Sequence, residues 1–512
     1  MIRPGTIAWF ALHEARLAWR DWLSLMTAGR RRRTSTVVIG FTVFAIFAHG
    51  LAWLILSSSA PLSSDPGKHS LIVISAILIG LWSMMLSQAM ESVTRAFYAR
   101  GDLDLILTSP ATASRLFAVR IIAMVLTILF MALVLVVPFI DVLVWRGGAH
   151  WLGAYAITVA LAMDSVAVAA MLTIAMFRSV GPRRTRAISQ IAAAVIGAAF
   201  AIGMQFAAIS SLGTVSRMAL LQSPALVKLA PERGSIVWLP AHAALGEPAA
   251  VAALLGISIL ALAAATRFCA PQFARFALAA AAMSPGTTRQ QRRQPQFHSV
   301  SSAQALRRKE WTLLLRDPWL MSQTLMQLLY LMPTAFLLWR GFYARNGALG
   351  LLVPVLIVAA GQLAGGLAWL AVSGEDAPDL VASAPVSAIR VLRAKTEAVL
   401  CGIAVVFTPF VVVLAALEPF PALVAVCGII IAAGSATAIQ FWFRTQAKRS
   451  MFRRRQTSSR IATFAEAFSS IGWAGTGALA AIGTWLAVIP GLIVLAIVAG
   501  TWMISPGRKV AT

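Results

Sequence analysis

The sequence predicts an all-α polytopic membrane protein, with about twelve transmembrane helices arranged as two parallel six-helix repeats. Three observations carry that prediction. Hydrophobic residues fill 59% of the 512 positions, only 12% are charged, and the mean hydropathy is +0.81; soluble chains run near a quarter charged. The apolar residues gather into runs of about 20, the length that crosses ~30 Å of hydrocarbon. A polar stretch from Arg100 to Arg115 also returns 275 residues later, where Asp104, Leu105, Pro110, Ala113 and Arg115 meet Asp379, Leu380, Pro385, Ala388 and Arg390. An echo at a fixed offset marks a chain built from copies.

A second echo agrees with the first. Glu14, Leu17, Arg20 and Asp21 recur as Glu310, Leu313, Arg316 and Asp317 at an offset of 296. Nearby changes are mild, among them Thr108 to Ser383 and Arg120 to Lys395. The reading is a first six-span half over 1–270, a cytoplasmic linker over 271–303 and a second six-span half over 304–512. The run from Ser284 to Ser302, with Pro, Gln, Thr, Ser and Arg, has no apolar periodicity and forms the body of that linker.

The expected spans run near 36–57, 70–90, 116–140, 152–177, 187–211, 248–267, 321–339, 347–372, 396–417, 420–443, 461–483 and 486–505. Of the 43 Lys and Arg residues, only Lys68, Arg146, Arg217, Lys228, Arg233, Arg340 and Arg345 then fall in outer loops. The other thirty-six lie inside, which places both termini in the cytoplasm by the positive-inside rule. The net charge of +25 is therefore a topology signal with contact to anionic lipid, and nucleic acid is not an expected partner.

Taken in order, residues 6–27 read as an amphipathic helix on the inner membrane surface, with Trp9, Phe10, Leu12, Trp19 and Trp22 on its apolar stripe. Leu306 to Asp317 repeats it ahead of the second half. After the second span, Thr94 to Leu107 reads as helical, broken at Ser109-Pro110 because proline disfavours helix in the residue before it. Thr112 or Ser114 caps the third span. Spans three and four turn at Trp145 to Gly148, and a loop over Arg178 to Arg186 leads into an Ala- and Gly-rich fifth span suited to close packing. In the outer segment 212–247, Val237 to Gly246 reads as a short interfacial helix plugging the outer vestibule.

Catalytic patterns are missing. The sequence has no Gly-x-x-x-x-Gly-Lys-Ser/Thr phosphate loop, no Gly-x-Ser-x-Gly and no His-Glu-x-x-His. Its six histidines are scattered without metal-ligand spacing, and its three cysteines (Cys269, Cys401 and Cys427) lie in or beside apolar spans as packing residues. No cleavable signal precedes residue 36. An enzyme is not expected, and any ATP-driven process needs an ATPase on another polypeptide.

The duplicated stretch resembles a cytoplasmic segment of type-2 ABC exporter permeases, which reads acidic-Leu-Leu-x-Ser-Pro followed by small and basic residues. Arg100-Gly-Asp-Leu-Asp-Leu-Ile-Leu-Thr-Ser-Pro-Ala-Thr-Ala-Ser-Arg115 is one instance and Gly374 to Arg390 a second, with Ser-Ala-Pro in place of Ser-Pro. That family's unit has six spans, so this chain resembles two units fused. The resemblance implies the permease subunit of an ATP-driven exporter in a bacterial cytoplasmic (inner) membrane. ATP and Mg would be held by a separate ABC ATPase subunit, in two copies, with no cofactor on this chain.

A coupling element must show polar groups to a soluble motor while staying joined to the spans. Arg95, Arg100, Asp102, Asp104 and Arg115 supply charges for such a dock, Pro110 a fixed bend, and Asp379, Pro385 and Arg390 their second copies. The resemblance implies that the amphipathic helices also meet the ATPase, which adds Glu14, Arg20, Asp21, Glu310, Arg316 and Asp317. Asp164, Gln205 and Glu466 are candidates for lining the pathway, with His49 and Glu397 further polar groups in or near spans. A carboxylate at mid-span costs on the order of 3 kcal/mol to insert, so it should face the bundle or water. The rival is an ion-coupled secondary transporter of the major facilitator type, also two parallel six-span repeats; Arg100 to Arg115 does not match the loop motif of that class.

Overall fold

A computed structural model describes residues 34–57, 67–98, 113–212, 217–281, 301–316, 352–373, 375, 378–443 and 460–505, and singly 12, 16, 325, 329, 332, 333 and 336. The chain divides into two compact units, Met1–Gln290 and Gln291–Thr512. All regular structure among the described residues is helical.

In the first unit, α1 (Thr34–Ser57), α2 (Lys68–Tyr98), α3 (Ala113–Gly147) and α4 (Gly153–Leu212) come first. Three short helices follow, α5 (Arg217–Leu221), α6 (Pro224–Leu229) and α7 (Leu239–Ala244), and then the long α8 (Pro248–Ala281). The second unit holds α9 (Ser302–Arg316), α10 (Leu352–Ser373), the short α11 (Pro378–Ser383), α12 (Ala388–Leu417), α13 (Pro419–Trp442), α14 (Arg460–Ala481) and α15 (Val488–Ile504). Nine stretches of the described helices are long and apolar enough to cross a membrane, which makes this a multi-pass membrane protein.

Nine against twelve has specific causes. The expected seventh span, 321–339, lies almost wholly outside the described residues. The first is helical as α1, of which Phe44–Ser57 is the counted apolar part. The eleventh is α14, 22 residues long but too polar to count, because Glu466, Ser469, Ser470 and several glycines interrupt it.

The structure corrects one connection. Arg178 to Arg186 is helical almost throughout and not a loop. The chain reverses at Gly181 alone, whose φ of 74° is left-handed and suits glycine, and Pro182 follows directly. Spans Ala149–Pro182 and Ile188–Ser211 are the two arms of that bend. Thr185 steadies it by donating to the Gly181 carbonyl at 2.8 Å.

Each unit packs its own core through small residues. In the first, Ser83 and Ser87 of α2 donate to the Ile196 and Ala193 carbonyls of α4 at 2.5 and 2.7 Å, with Gly197 against Ser87. In the second, Gly361 and Gly365 of α10 admit Ser470 and Glu466 of α14. Gly428 of α13 and Gly477 of α14 both admit Ile357. Backbones approach this closely only where side chains are small.

The segment between α4 and α8 of the first unit folds onto the span ends. Trp238 and Ala241, Ala243 and Ala244 of α7 are buried in one cluster with Leu71, Trp151 and Ile157. Gly153 and Gly246 make the contact possible: a Cβ at Gly153 would sit 2.3 Å from the Ala243 carbonyl oxygen, and one at Gly246 would sit 2.2 Å from that of His150. The expected short helix is therefore present as α7, seated on α4.

Candidate functional site

The end of the second unit where α9, the C-terminus of α10 and the N-terminus of α12 meet carries the densest charge arrangement among the described residues. α9 is amphipathic, with Arg307, Arg308, Lys309 and Glu310 preceding Trp311 and Leu313 to Leu315. Glu310 points inward and is 0% exposed. One of its carboxylate oxygens lies 3.0 Å from Lys395 Nζ and 3.3 Å from Lys309 Nζ. Lys395, in the second turn of α12, also lies 3.3 Å from Glu375 and donates to the carbonyl of Ala371, near the C-terminus of α10. Lys309 pairs with Glu375 as well.

Two ammoniums thus balance two carboxylates in a closed group joining α9, α10 and α12. The balance matters physically. Desolvating a single charge is prohibitive, whereas a fully partnered set is tolerated and fixes the elements that supply it. The last carbonyls of α10 have no partner within the helix and carry the negative end of its dipole, so a cation there is favoured twice. Arg307 extends the arrangement outward through a 2.6 Å bond to Glu397, which Arg393 also meets at 3.3 Å. That bond to Glu397 raises Arg307 further above its ordinary value and keeps it charged.

Beside this group the repeated motif folds as a short helix, a bend and a new helix. Asp379 is the second residue of α11, Pro385 sits in the bend, and Ser387 precedes α12, whose first turn holds Arg390. Leu380 is 72% exposed and Ile389 78%, flanking the exposed Pro385 and Arg390. The two exposed apolar side chains stand on either side of the bend between α11 and α12.

In the first unit the same positions are partly in view. Arg120 of α3 donates to the carbonyl of Ala96, near the end of α2, at 3.4 Å. Adding 275 to both numbers gives Lys395 and Ala371, so the two units make the same cation-to-carbonyl contact. Arg95 pairs with Glu91 one turn away on α2, an exposed pair within one helix. Arg115 lies in the first turn of α3, and Arg316 is the last residue of α9. Glu14, Arg20, Asp21, Arg100, Asp102, Asp104, Pro110 and Asp317 lie outside the described residues.

The pathway candidates do not form one constellation. Asp164, half-buried on α4, accepts from the Trp82 indole of α2 at 2.9 Å. Gln205 lies partly buried on the second arm of α4. Glu466 belongs to the second unit, is 6% exposed, and accepts from Gln440 of α13 at 2.5 Å. Its carboxyl fills the place a Cβ on Gly365 would need, only 1.9 Å away. Near it, Ser435 receives the Trp473 indole at 3.1 Å and the Ser469 hydroxyl at 3.3 Å, completing a polar seam between α13 and α14.

Sequence reasoning missed two groups. Lys395 was visible only as the basic counterpart of Arg120, and nothing local tied it to Glu310, 85 residues away. Asp141, near the C-terminal end of α3, accepts from the Tyr155 hydroxyl and lies 3.1 Å from His49 Nε2. In the sequence its one trace is His49, a polar residue within the first span. Among the described residues no three His, Cys, Asp or Glu are grouped as metal ligands. No protein-family model matches the chain, and no curated protein or solved structure is significantly similar to it.

Proposed function

We propose that this chain is the transmembrane permease subunit of an ATP-driven exporter of the type-2 ABC class, two six-span units fused in one polypeptide. ATP and Mg2+ belong to a separate ATPase subunit, two copies per chain. The membrane is a bacterial cytoplasmic membrane with both termini inside. The observation that carries the reading is the exposed surface of Leu380 on α11, Pro385 in the bend and Ile389 and Arg390 on α12, a helix that Glu310, Lys395, Glu375 and Lys309 lock to α9 and α10. A motor subunit pushing there moves the spans and not a loose loop. Glu310 acts in this scheme as a positioning residue, since its carboxylate is consumed inside the chain, while Arg390 and Leu380 face outward.

Purification of the chain with each candidate ATPase, followed by hydrolysis measurements with and without the chain, tests the reading. Stimulated hydrolysis is expected, and Asp104→Lys with Asp379→Lys should uncouple it; full coupling in that variant would count against the assignment of these loops. Glu466, a carboxyl buried within the membrane region, favours the rival of ion-coupled transport. That rival requires cargo movement by the chain alone, driven by a proton or sodium gradient and indifferent to nucleotide.

A further inference from the structure

We infer that the first unit holds one anionic phospholipid of the inner leaflet in a groove between α3, α4 and α8. The groove has a volume of about 570 Å³ and is apolar along its length, with Ile122, Met163, Ile259, Leu262 and Ala263 among its walls. At one end stands Arg267. The exposed side chains of Ile122 and Ile259 form its open rim.

Depth along α8 gives the ligand its class. Pro248 begins the helix at the outer side, and Arg267 lies nineteen residues on, about 28 Å along the axis. That distance spans the ~30 Å hydrocarbon layer and brings the guanidinium to the inner headgroups. From Ile259 to Arg267 the wall runs about 12 Å, close to the depth of one leaflet. A ligand with a long apolar body and an anionic head at one end matches both parts.

Charge narrows it further. No carboxylate lines the groove, and among the described residues Arg267 has no hydrogen-bond or ion-pair partner. The next turn adds positive charge: Arg178 lies over the Phe268 ring at 5.0 Å and donates to Gln272 at 3.1 Å, with no acid paired to it among the described residues. Thr266 is satisfied by the Leu262 carbonyl at 2.7 Å and needs no ligand. A zwitterionic head would bring its own cation to this mouth, whereas phosphatidylglycerol would not. The inference is independent of what powers transport.

Native mass spectrometry of the purified full chain tests it, with phosphatidylglycerol and phosphatidylcholine of identical acyl chains in competition. The wild type should retain one tightly held phosphatidylglycerol in about fivefold preference, the worth of one basic side chain at an anionic surface. Arg267→Gln should abolish that preference and Arg267→Lys should keep most of it. Ala263→Trp, at an exposed wall position, should expel both lipids while leaving size-exclusion behaviour unchanged. Arg308→Gln, which removes the same charge in the other unit, should leave the retained lipid in place. Equal retention of the two lipids, a preference that survives Arg267→Gln, or equal loss in Arg308→Gln would each overturn the proposal. Displacement by millimolar inorganic phosphate would also overturn it, by showing a bare anion site.

Discussion

The two units share a contact, between the end of α2 and the start of α3 in one and of α10 and α12 in the other, and differ in the charges around it. In the first, Arg120 caps the end of α2 through the Ala96 carbonyl; in the second, Lys395 caps α10 through that of Ala371. The second unit adds Glu310, Glu375 and Lys309, closing a neutral buried set. At the corresponding positions the first half's sequence has Glu14, Arg100 and His13, which leaves it one carboxylate poorer. The shared element is the backbone contact, which any cation at that turn of the third helix can make. The side-chain set around it varies, so the difference teaches that the geometry of the joint and its electrostatic strength are separable.

Breaking the joint in each unit compares them directly. Lys395→Ala leaves Glu310 and Glu375 short of a partner in a buried site and should cost about 3–5 kcal/mol. Arg120→Ala removes a bond to a neutral carbonyl and should cost about 1 kcal/mol. Denaturant or thermal unfolding of the purified variants measures both. Equal losses would mean that Arg120 has a carboxylate partner of its own.

The packing of α2 against α4 and of α10 against α14 gives the second comparison. Gly365→Ala drives a methyl group into the Glu466 carboxylate and should destabilise by about 1–3 kcal/mol. Adding Glu466→Ala should relieve most of that clash, which a double-mutant cycle would read out. Gly197→Ala meets Ser87 less closely, its new Cβ 2.9 Å from the hydroxyl oxygen and 3.1 Å from Cβ, and should cost less than Gly365→Ala in the same assay. The smallest effect is expected at the rim: Arg307→Gln should scarcely shift the melting curve, because its bond to Glu397 is exposed to water that screens it.

Much of this fold is legible in the sequence, for physical reasons. A span needs about 20 apolar residues whatever it packs against, so most spans appear where hydropathy places them. α14 is less apolar because it spends positions on the Glu466 and Ser469 seam, a tertiary feature with no local period. The bend at Gly181-Pro182 looks like a loop because its arginines suggest solvent, yet helix needs only one left-handed residue to reverse there. The repeat in the sequence directs attention to α11 and α12, where the proposed docking surface lies. It did not show that Glu310 turns inward, since an ion pair across 85 residues leaves no mark along the chain.

The most direct test places single cysteines at Leu105 and Leu380, in a chain freed of Cys269, Cys401 and Cys427, and labels them with a membrane-impermeant maleimide. The account predicts that both react from the cytoplasmic face alone and that bound ATPase subunit protects both. Reaction from opposite faces, or labelling that the ATPase leaves unchanged at either position, would contradict it.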